Sequence, residues 1–214
     1  YFKNIKNSKF LSLRKKPFLV SIAGDSGSGK DTLTQSMKNI LGNNSICQIN
    51  GDDYHLYERK SPDWKVMTHL NPLANDLNTL SKNLQDLMKY KNILRKTYNH
   101  KFGKFDSPSV LNPKEFILVN SMHAYYLPIM RDLSDLKIYL DMDENLRQFF
   151  KIQRDVNIRG HSINVVRKSI NDRKYDAKNF IYPQKNYADI IFRLEIKEMA
   201  SLKNKYKNLK SNLK

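Results

Sequence analysis

Short apolar runs alternate with segments of helical periodicity along most of this 214-residue chain. Continuous apolar runs of this kind are typical of strands buried on both faces, as in parallel sheets. Apolar residues at helical spacing between the runs, as at Leu77, Leu80 and Leu84, predict helices that cover those faces. The pattern therefore predicts an α/β fold with a mainly parallel sheet of about five strands. The strands are expected at 18–22, 45–50, 116–119, 136–140 and 189–194.

The first apolar run leads directly into a glycine-rich segment, followed by a helical pattern. Glycines between a strand and a helix N-terminus let backbone N–H groups converge on an anion, and the helix dipole favours negative charge there. The spacing is that of a Walker A motif, in which Lys30 would reach the β- and γ-phosphates of a nucleotide. We therefore predict a P-loop NTPase three-layer sandwich. Its expected nucleotide-binding residues are Gly24, Asp25, Ser26, Gly27, Ser28, Gly29, Lys30, Asp31 and Thr32.

Asp31 occupies the position where Walker A motifs carry Ser or Thr, whose hydroxyl binds Mg²⁺. A carboxylate also binds Mg²⁺, although it brings negative charge close to the phosphates. Thr32 is one residue too far along the chain to replace the hydroxyl directly. Asp31 is therefore a candidate metal ligand.

Net charge and cysteine content restrict the class of protein further. The net charge of +17 is compatible with a nucleic-acid or membrane-surface partner. Many lysines, however, lie near the ends without the interleaved aromatics of single-strand binders, which disfavours a nucleic-acid partner. The single cysteine, Cys47, excludes a disulfide framework and predicts a reducing, cytoplasmic location. No apolar run approaches membrane-spanning length, so we expect no membrane partner.

Polar residues follow the predicted second strand, at the sheet edge where ligands bind in open parallel sheets. Asp52 and Asp53 lie there, and each is either part of a site or a solvated turn residue. The five histidines lack metal-ligand spacing, so we expect no zinc site.

A helix is expected from about Asp143 to Val156, with Leu146, Phe149, Phe150 and Ile152 inward and its charged residues on the other face. Arg154 and Arg159, close to Gly160, are either solvated helix charges or a mobile lid that clamps phosphate.

Together these segments resemble the phosphoribulokinase/uridine kinase family of P-loop kinases, from about Pro17 to Ile196. The Walker A motif alone indicates only the superfamily, whereas the segments at 151–162 and 182–189 are far more specific and favour the phosphoribulokinase side. The other segments that carry the resemblance are 52–55 with Arg59, 71–77 and 98–100.

The resemblance implies ATP- and Mg²⁺-dependent phosphorylation of a hydroxyl on a sugar phosphate or a nucleoside. It implies that Asp52 accepts the hydroxyl proton during in-line transfer and helps hold the metal with Asp31. Lys30 and Asp155 complete the implied catalytic set. The implied acceptor-binding residues are Asp53, His55, Arg59, Tyr98 and His100, and the implied lid cations are Lys151, Arg154 and Arg159. A basic clamp of this kind suits an acceptor that already carries phosphate, which favours a sugar phosphate over a nucleoside.

The chain departs from the family pattern at both usual metal positions. After the 116–119 strand the family carries an acidic residue in a Glu-Gly-x-His setting, where this chain has Asn120-Ser121-Met122-His123. Either the carboxylate has moved to Asp31 and Mg²⁺ still binds, or the domain has decayed into a nucleotide-binding module. Because Lys30, Asp52 and the lid arginines are present, we favour an active kinase.

Composition divides the chain into three segments. Residues 1–16 are expected to be a basic leader or the end of an upstream segment, 17–196 a P-loop kinase domain, and 197–214 a lysine-rich tail. Because the chain begins with Tyr1, a place within a longer polypeptide is one expectation, and a homo-oligomer is another.

Overall fold

The computed structural model describes residues 15–65 and 67–196, together with residues 198 and 201. The predicted leader and tail lie almost entirely outside the described residues, so the three-segment division stays a prediction.

The strands and helices follow the alternation expected from the sequence. The strands are β1 (Phe18–Gly24), β2 (Ile46–Asn50), β3 (Ile93–Arg95), β4 (Tyr98–Asn99), β5 (Lys104–Phe105), β6 (Ser109–Leu111), β7 (Phe116–Asn120), β8 (Leu136–Met142) and β9 (Ile190–Leu194). The α-helices are α1 (Lys30–Leu41), α2 (Leu77–Met88), α3 (Pro128–Leu133), α4 (Glu144–Asn157), α5 (Ile163–Asp172) and α6 (Lys174–Asp176). Short 3₁₀ segments occur at Asn43–Ser45, Gly51–Tyr54, Pro62–Lys65, Pro72–Ala74 and Tyr182–Tyr187, and a π-helical turn at Ala177–Ile181.

Five strands form a parallel sheet in the order β2-β7-β1-β8-β9. This arrangement confirms the predicted fold class. Two small antiparallel pairs, β3 with β6 and β4 with β5, lie outside that sheet. The second of these pairs forms a hairpin at the segment from Tyr98 to Phe105.

Two apolar clusters cover the two faces of the sheet. Alternate residues of β1 point to opposite sides, so Leu19 packs with the helix α2 cluster and Val20 with the helix α1 cluster. All five residues of β7 are buried, which explains why its sequence is a continuous apolar run rather than an alternating one. The result is the three-layer arrangement expected from the pattern.

Helix α4 corrects one expectation, because much of its buried face is charged. Its buried residues are Leu146, Arg147, Lys151 and Asp155, whereas Phe150 is 37% exposed. The physical reason is that the helix covers the glycine-rich loop: a Cβ placed on Gly27 would lie 3.3 Å from the Cβ of Lys151. Charges on this face lie over an anion-binding loop instead of facing solvent.

Within the described part of the chain, every helix is too short or too polar to cross a bilayer.

The close approach of Gly51 to Ser121 at the ends of β2 and β7 gives a stability prediction. A Cβ on Gly51 would lie 2.5 Å from the Cβ of Ser121 and 3.0 Å from its Cα. Overpacking of this kind costs about 1–3 kcal/mol, so we expect Gly51→Ala to lower the melting temperature by several degrees. The change should cost less in a Ser121→Gly background, because the two sites share one contact. An equal cost in both backgrounds, measured by thermal unfolding, would show that the contact is not the cause.

Candidate functional site

A cleft of about 1350 Å³ opens where β1, β2, β7 and β8 end. Its wall includes the glycine-rich loop, the residues that follow β2, and the facing side of α4. This is the edge of an open parallel sheet at which ligands bind.

The glycine-rich loop has the backbone of an anion-binding turn. Gly24, Gly27 and Gly29 have positive φ angles of 146°, 87° and 91°, which residues other than glycine rarely adopt. No side chain in the described part of the chain caps the N-terminus of α1, so its first N–H groups remain available to a ligand. The ammonium of Lys30 donates to the carbonyls of Gly24 and Asp25, both at 3.0 Å. Burial lowers the pKa of Lys30, and the nearby carboxylates oppose that shift.

Two of the predicted nucleotide-binding residues lie outside the cleft wall. These are Gly24 and Asp25, and the Asp25 carboxylate pairs at 3.0 Å with Arg147 of α4. Asp25 therefore anchors the loop to the helix above it. The remaining predicted residues line the cleft: Ser26, Gly27, Ser28, Gly29, Lys30, Asp31 and Thr32.

Asp31 and Asn120, the two departures from the family pattern, are in direct contact. The Asn120 amide donates to Asp31 Oδ1 at 2.5 Å, across 89 positions of sequence. Mg²⁺ is usually held by one or two carboxylates together with substrate phosphates and water, and it prefers oxygen ligands. A carboxylate beside a side-chain amide is a donor set of that kind, so these residues fit Mg²⁺.

Asp52 lies between two histidines, just after the C-terminal end of β2. His100 Nε2 is 3.0 Å from one carboxylate oxygen and His55 Nε2 is 3.4 Å from the other. Burial raises the pKa of Asp52, but the His100 hydrogen bond and the charges of His55, His100 and Lys30 outweigh it and lower the pKa well below its usual range. Asp52 is therefore an ionised carboxylate at neutral pH.

The other predicted acceptor residues surround Asp52, and all of them line the cleft. The Asp53 carboxylate is already engaged, because it accepts from Arg95 at 2.6 Å and from the backbone of Tyr98 at 2.9 Å. It therefore ties the β4 hairpin to the turn after β2. Arg59 donates to the carbonyl of His100 at 2.8 Å.

The predicted lid cations converge on one carboxylate. Lys151, Arg154 and Arg159 contact Asp155 at 2.7, 2.9 and 3.4 Å. Although burial raises the pKa of Asp155, Lys151 and Arg154 outweigh it and lower the pKa to about 2. Burial lowers the pKa of Lys151 to about 8. Arg154 also reaches Ser26 Oγ at 3.4 Å, which connects the lid to the glycine-rich loop.

Sequence reasoning missed several residues of this region. His69 lies in the cleft wall with its ring centroid 4.0 Å from that of His55, and His123 Nε2 is 3.3 Å from the carbonyl of His69. Arg173, at the end of α5, also lines the cleft. His69 and Arg173 are single polar residues inside an ordinary pattern, so no spacing rule distinguishes them from solvated residues, whereas His123 holds the histidine position of the Glu-Gly-x-His setting.

The parallel sheet, with a glycine-rich loop between β1 and α1, defines a P-loop nucleotide-binding fold. The model of the phosphoribulokinase / uridine kinase family matches residues 19–199, and the chain belongs to this family.

The similar proteins include both phosphoribulokinases and uridine kinases. The chain is 34% identical over 176 residues to the phosphoribulokinase of Synechocystis, covering 82% of this chain and 53% of that protein. It is 34% identical over 181 residues to the uridine kinase of Bacillus subtilis, covering 83% and 86%. The chain thus spans about half the length of the curated phosphoribulokinases that it matches.

Solved structures agree in fold. The phosphoribulokinase from Rhodobacter spheroides superposes with a TM-score of 0.67 at 23% identity, covering 84% of this chain and 71% of that one. A possible uridine kinase from Bacillus stearothermophilus gives 0.57 at 19% identity, covering 89% and 94%.

The buried histidines give a pH prediction. Burial lowers the pKa of His69 to about 2 and that of His123 to about 4, so both are neutral in the folded protein. In the unfolded chain each binds a proton below about pH 6.5. The unfolded state then holds more protons, and the free energy of unfolding falls as pH drops below that value.

We expect His123→Gln to flatten this slope by about 1.4 kcal/mol per pH unit between about pH 6 and 4.5. Denaturant titrations across this range, on His123→Gln and on the unmodified protein, measure the effect. An unchanged slope in His123→Gln would contradict a neutral, buried His123.

Proposed function

We propose that this chain is an ATP-dependent phosphotransferase that phosphorylates a hydroxyl of a small molecule by in-line transfer, with Asp52 as the base. One observation supports this most strongly: the P-loop lysine, an ionised carboxylate and a cluster of lid cations line one cleft. Phosphoryl transfer depends on in-line positioning and on cations around the phosphoryl oxygens more than on covalent chemistry.

Each group has a role that its position supports. The loop from Ser26 to Thr32 would bind the nucleotide phosphates, with the Lys30 ammonium leaving the loop carbonyls for the β- and γ-oxygens. Asp52 is ionised and can accept the proton of the acceptor hydroxyl. Arg154 and Arg159 would exchange Asp155 for the transferred group, because a phosphate offers the same charge-assisted hydrogen bonds as a carboxylate.

Asp31 and Asp52 would hold Mg²⁺, with the Asn120 side chain orienting Asp31. When bound, the ion would neutralise negative charge that develops on the transferred phosphoryl group. The contact between Asp31 and Asn120 supports a carboxylate that has moved from the end of β7 to the start of α1, rather than one that has been lost.

A sugar phosphate is the acceptor that we favour. Arg59 and the lid arginines provide cations in the same cleft as Asp52, and an acceptor with its own phosphate would use them. Burial lowers the pKa of His55, and the charge of Asp52 opposes that shift. A nucleoside acceptor is the second candidate, favoured by the similarity to the uridine kinase of Bacillus subtilis. A catalytically degenerate nucleotide-binding domain of a larger protein is the third, favoured by Asp31 and Asn120.

The base assignment is tested by Asp52→Asn, assayed as ADP formation with a panel of sugar phosphates and nucleosides. General-base assistance is worth about 10²–10⁴-fold, so kcat should fall by that factor while ATP affinity changes little. Asp132→Asn, an exposed carboxylate change on α3, serves as the matched control. Equal turnover of Asp52→Asn and the unmodified protein would exclude Asp52 as the base.

The same panel separates the candidate functions. Turnover with a sugar phosphate supports the first, and turnover with nucleosides alone supports the second. ATP binding that Lys30→Ala abolishes, without turnover of any acceptor, supports the degenerate domain.

The metal assignment is tested at Asp31 and Asn120 together. Asp31→Ala should lose activity that excess Mg²⁺ partly restores, and it should also weaken the binding of Mn²⁺ measured by electron paramagnetic resonance. Asp31→Thr should be poor alone and should recover when combined with Asn120→Glu, because residues that share one ion couple non-additively.

Two results would contradict the hypothesis that the metal-binding carboxylate has moved from the end of β7 to Asp31. One is an Asp31→Ala variant with unchanged activity and metal dependence. The other is a double variant that creates activity in a protein that otherwise has almost none, which is the result expected from decay.

A further inference from the structure

Arg173 lies at a wall shared by two cavities. It is the residue that ends α5, and it lines the main cleft. It also borders a small cavity of about 10 Å³ behind the glycine-rich loop, together with Asp25, Ser26, Arg147 and Lys151. Its side chain therefore lies among the P-loop, the lid helix α4 and the open cleft.

Among the residues that the structure describes, the Arg173 guanidinium differs from its neighbours in making no hydrogen bond or ion pair. Among the lysines and arginines of the cleft wall in the described residues, the others all make an ion pair or hydrogen bond. Lys30 donates to loop carbonyls and Arg59 to the carbonyl of His100. The lid cations bind Asp155, and Arg193 pairs with Glu195. Arg173 makes no such contact with any described residue.

Arg173 is partly exposed to the cleft, and a cation in such a position loses part of its hydration without the direct hydrogen bond or ion pair that would replace it. Burial lowers the pKa of Arg173, while Asp25, Asp155 and Asp52 act on it in the opposite direction. An arginine stays protonated despite such a shift, so the group carries its full charge into the cleft. The C-terminal end of α5 supplies only a partial negative charge. An anionic ligand would provide what the protein does not.

We propose that Arg173 binds the phosphoryl group transferred from the nucleotide, an inference that rests on the proposed function. The carboxylates that influence Arg173 belong to the P-loop, the lid and the candidate base. These elements meet where the donor phosphate and the acceptor hydroxyl must meet. A guanidinium offers a planar fork of donors that matches two phosphate oxygens at once. Arg173 is therefore a catalytic residue that comes from α5, outside the lid motif.

The test compares nucleotides that differ only in the third phosphate. Calorimetry with Mg²⁺ gives the dissociation constants of ADP and of a non-hydrolysable ATP analogue for the unmodified protein, Arg173→Ala and Arg173→Lys. We expect Arg173→Ala to weaken the triphosphate analogue by roughly 10–100-fold, the usual value of a charge-assisted hydrogen bond, and ADP by far less. Arg173→Lys should be intermediate, because it keeps the charge and loses the fork.

Arg167→Ala, an exposed change on the same helix, is the matched control and should change neither constant. An equal loss for both nucleotides, or no loss, would overturn the inference, as would a loss confined to a sugar phosphate acceptor. If Arg173→Ala fails to fold, the same comparison on Arg173→Lys decides the question. An unmodified protein that binds neither nucleotide would instead refute the proposed function, so the two failures are distinct.

Discussion

The compensation of buried positive charge is the constraint on which the cleft depends. A site for polyphosphate must concentrate cations, yet the chain must also fold before any phosphate arrives. Asp155 meets this need by accepting three lid cations, and its pKa of about 2 keeps it ionised throughout the neutral range. Like charges repel strongly at low dielectric. Without this carboxylate, repulsion among the three cations would oppose the packing of the lid on the P-loop.

The same compensation recurs around the cleft and positions its parts. Asp25 binds Arg147 and so fixes the P-loop beneath α4, while Asp53 binds Arg95 and the backbone of Tyr98 and so fixes the β4 hairpin beside Asp52. Breaking such a pair costs more than its net stabilisation, because one charge remains buried alone. These carboxylates form an anionic framework that, in the proposed reaction, incoming phosphates would replace only in part, at the lid. Such a lid would close on a nucleotide by exchanging partners instead of by creating new charge.

The fold and part of the site followed from local sequence patterns, and the remainder depended on tertiary packing. The apolar run of β7 was sufficient to predict a buried strand, and the spacing around Lys30 was sufficient to predict the phosphate-binding loop. Each of these features is encoded within a few residues. Helical periodicity predicts that the charged residues of α4 lie opposite its apolar face, because it assumes that solvent lies opposite the core, and it leaves open whether those charges are solvated or form a lid. Here a ligand cleft lies beyond that face, and Phe150 is left 37% exposed. Asp31 and Asn120 come into contact only when distant segments meet, so no local pattern could indicate that contact. The same holds for the place of the Arg173 side chain in the cleft, where it makes no hydrogen bond or ion pair with a described residue.

The most direct measurement of this account is a crystal structure of the protein with Mg²⁺ and a non-hydrolysable ATP analogue. The account predicts the triphosphate along the loop from Ser26 to Thr32, with Lys30 withdrawn from the carbonyls of Gly24 and Asp25. At least one of Arg154 and Arg159 should lie about 3 Å from a γ-phosphate oxygen and no longer contact Asp155. A nucleotide bound outside this loop, or bound there with every lid cation still on Asp155, would contradict it.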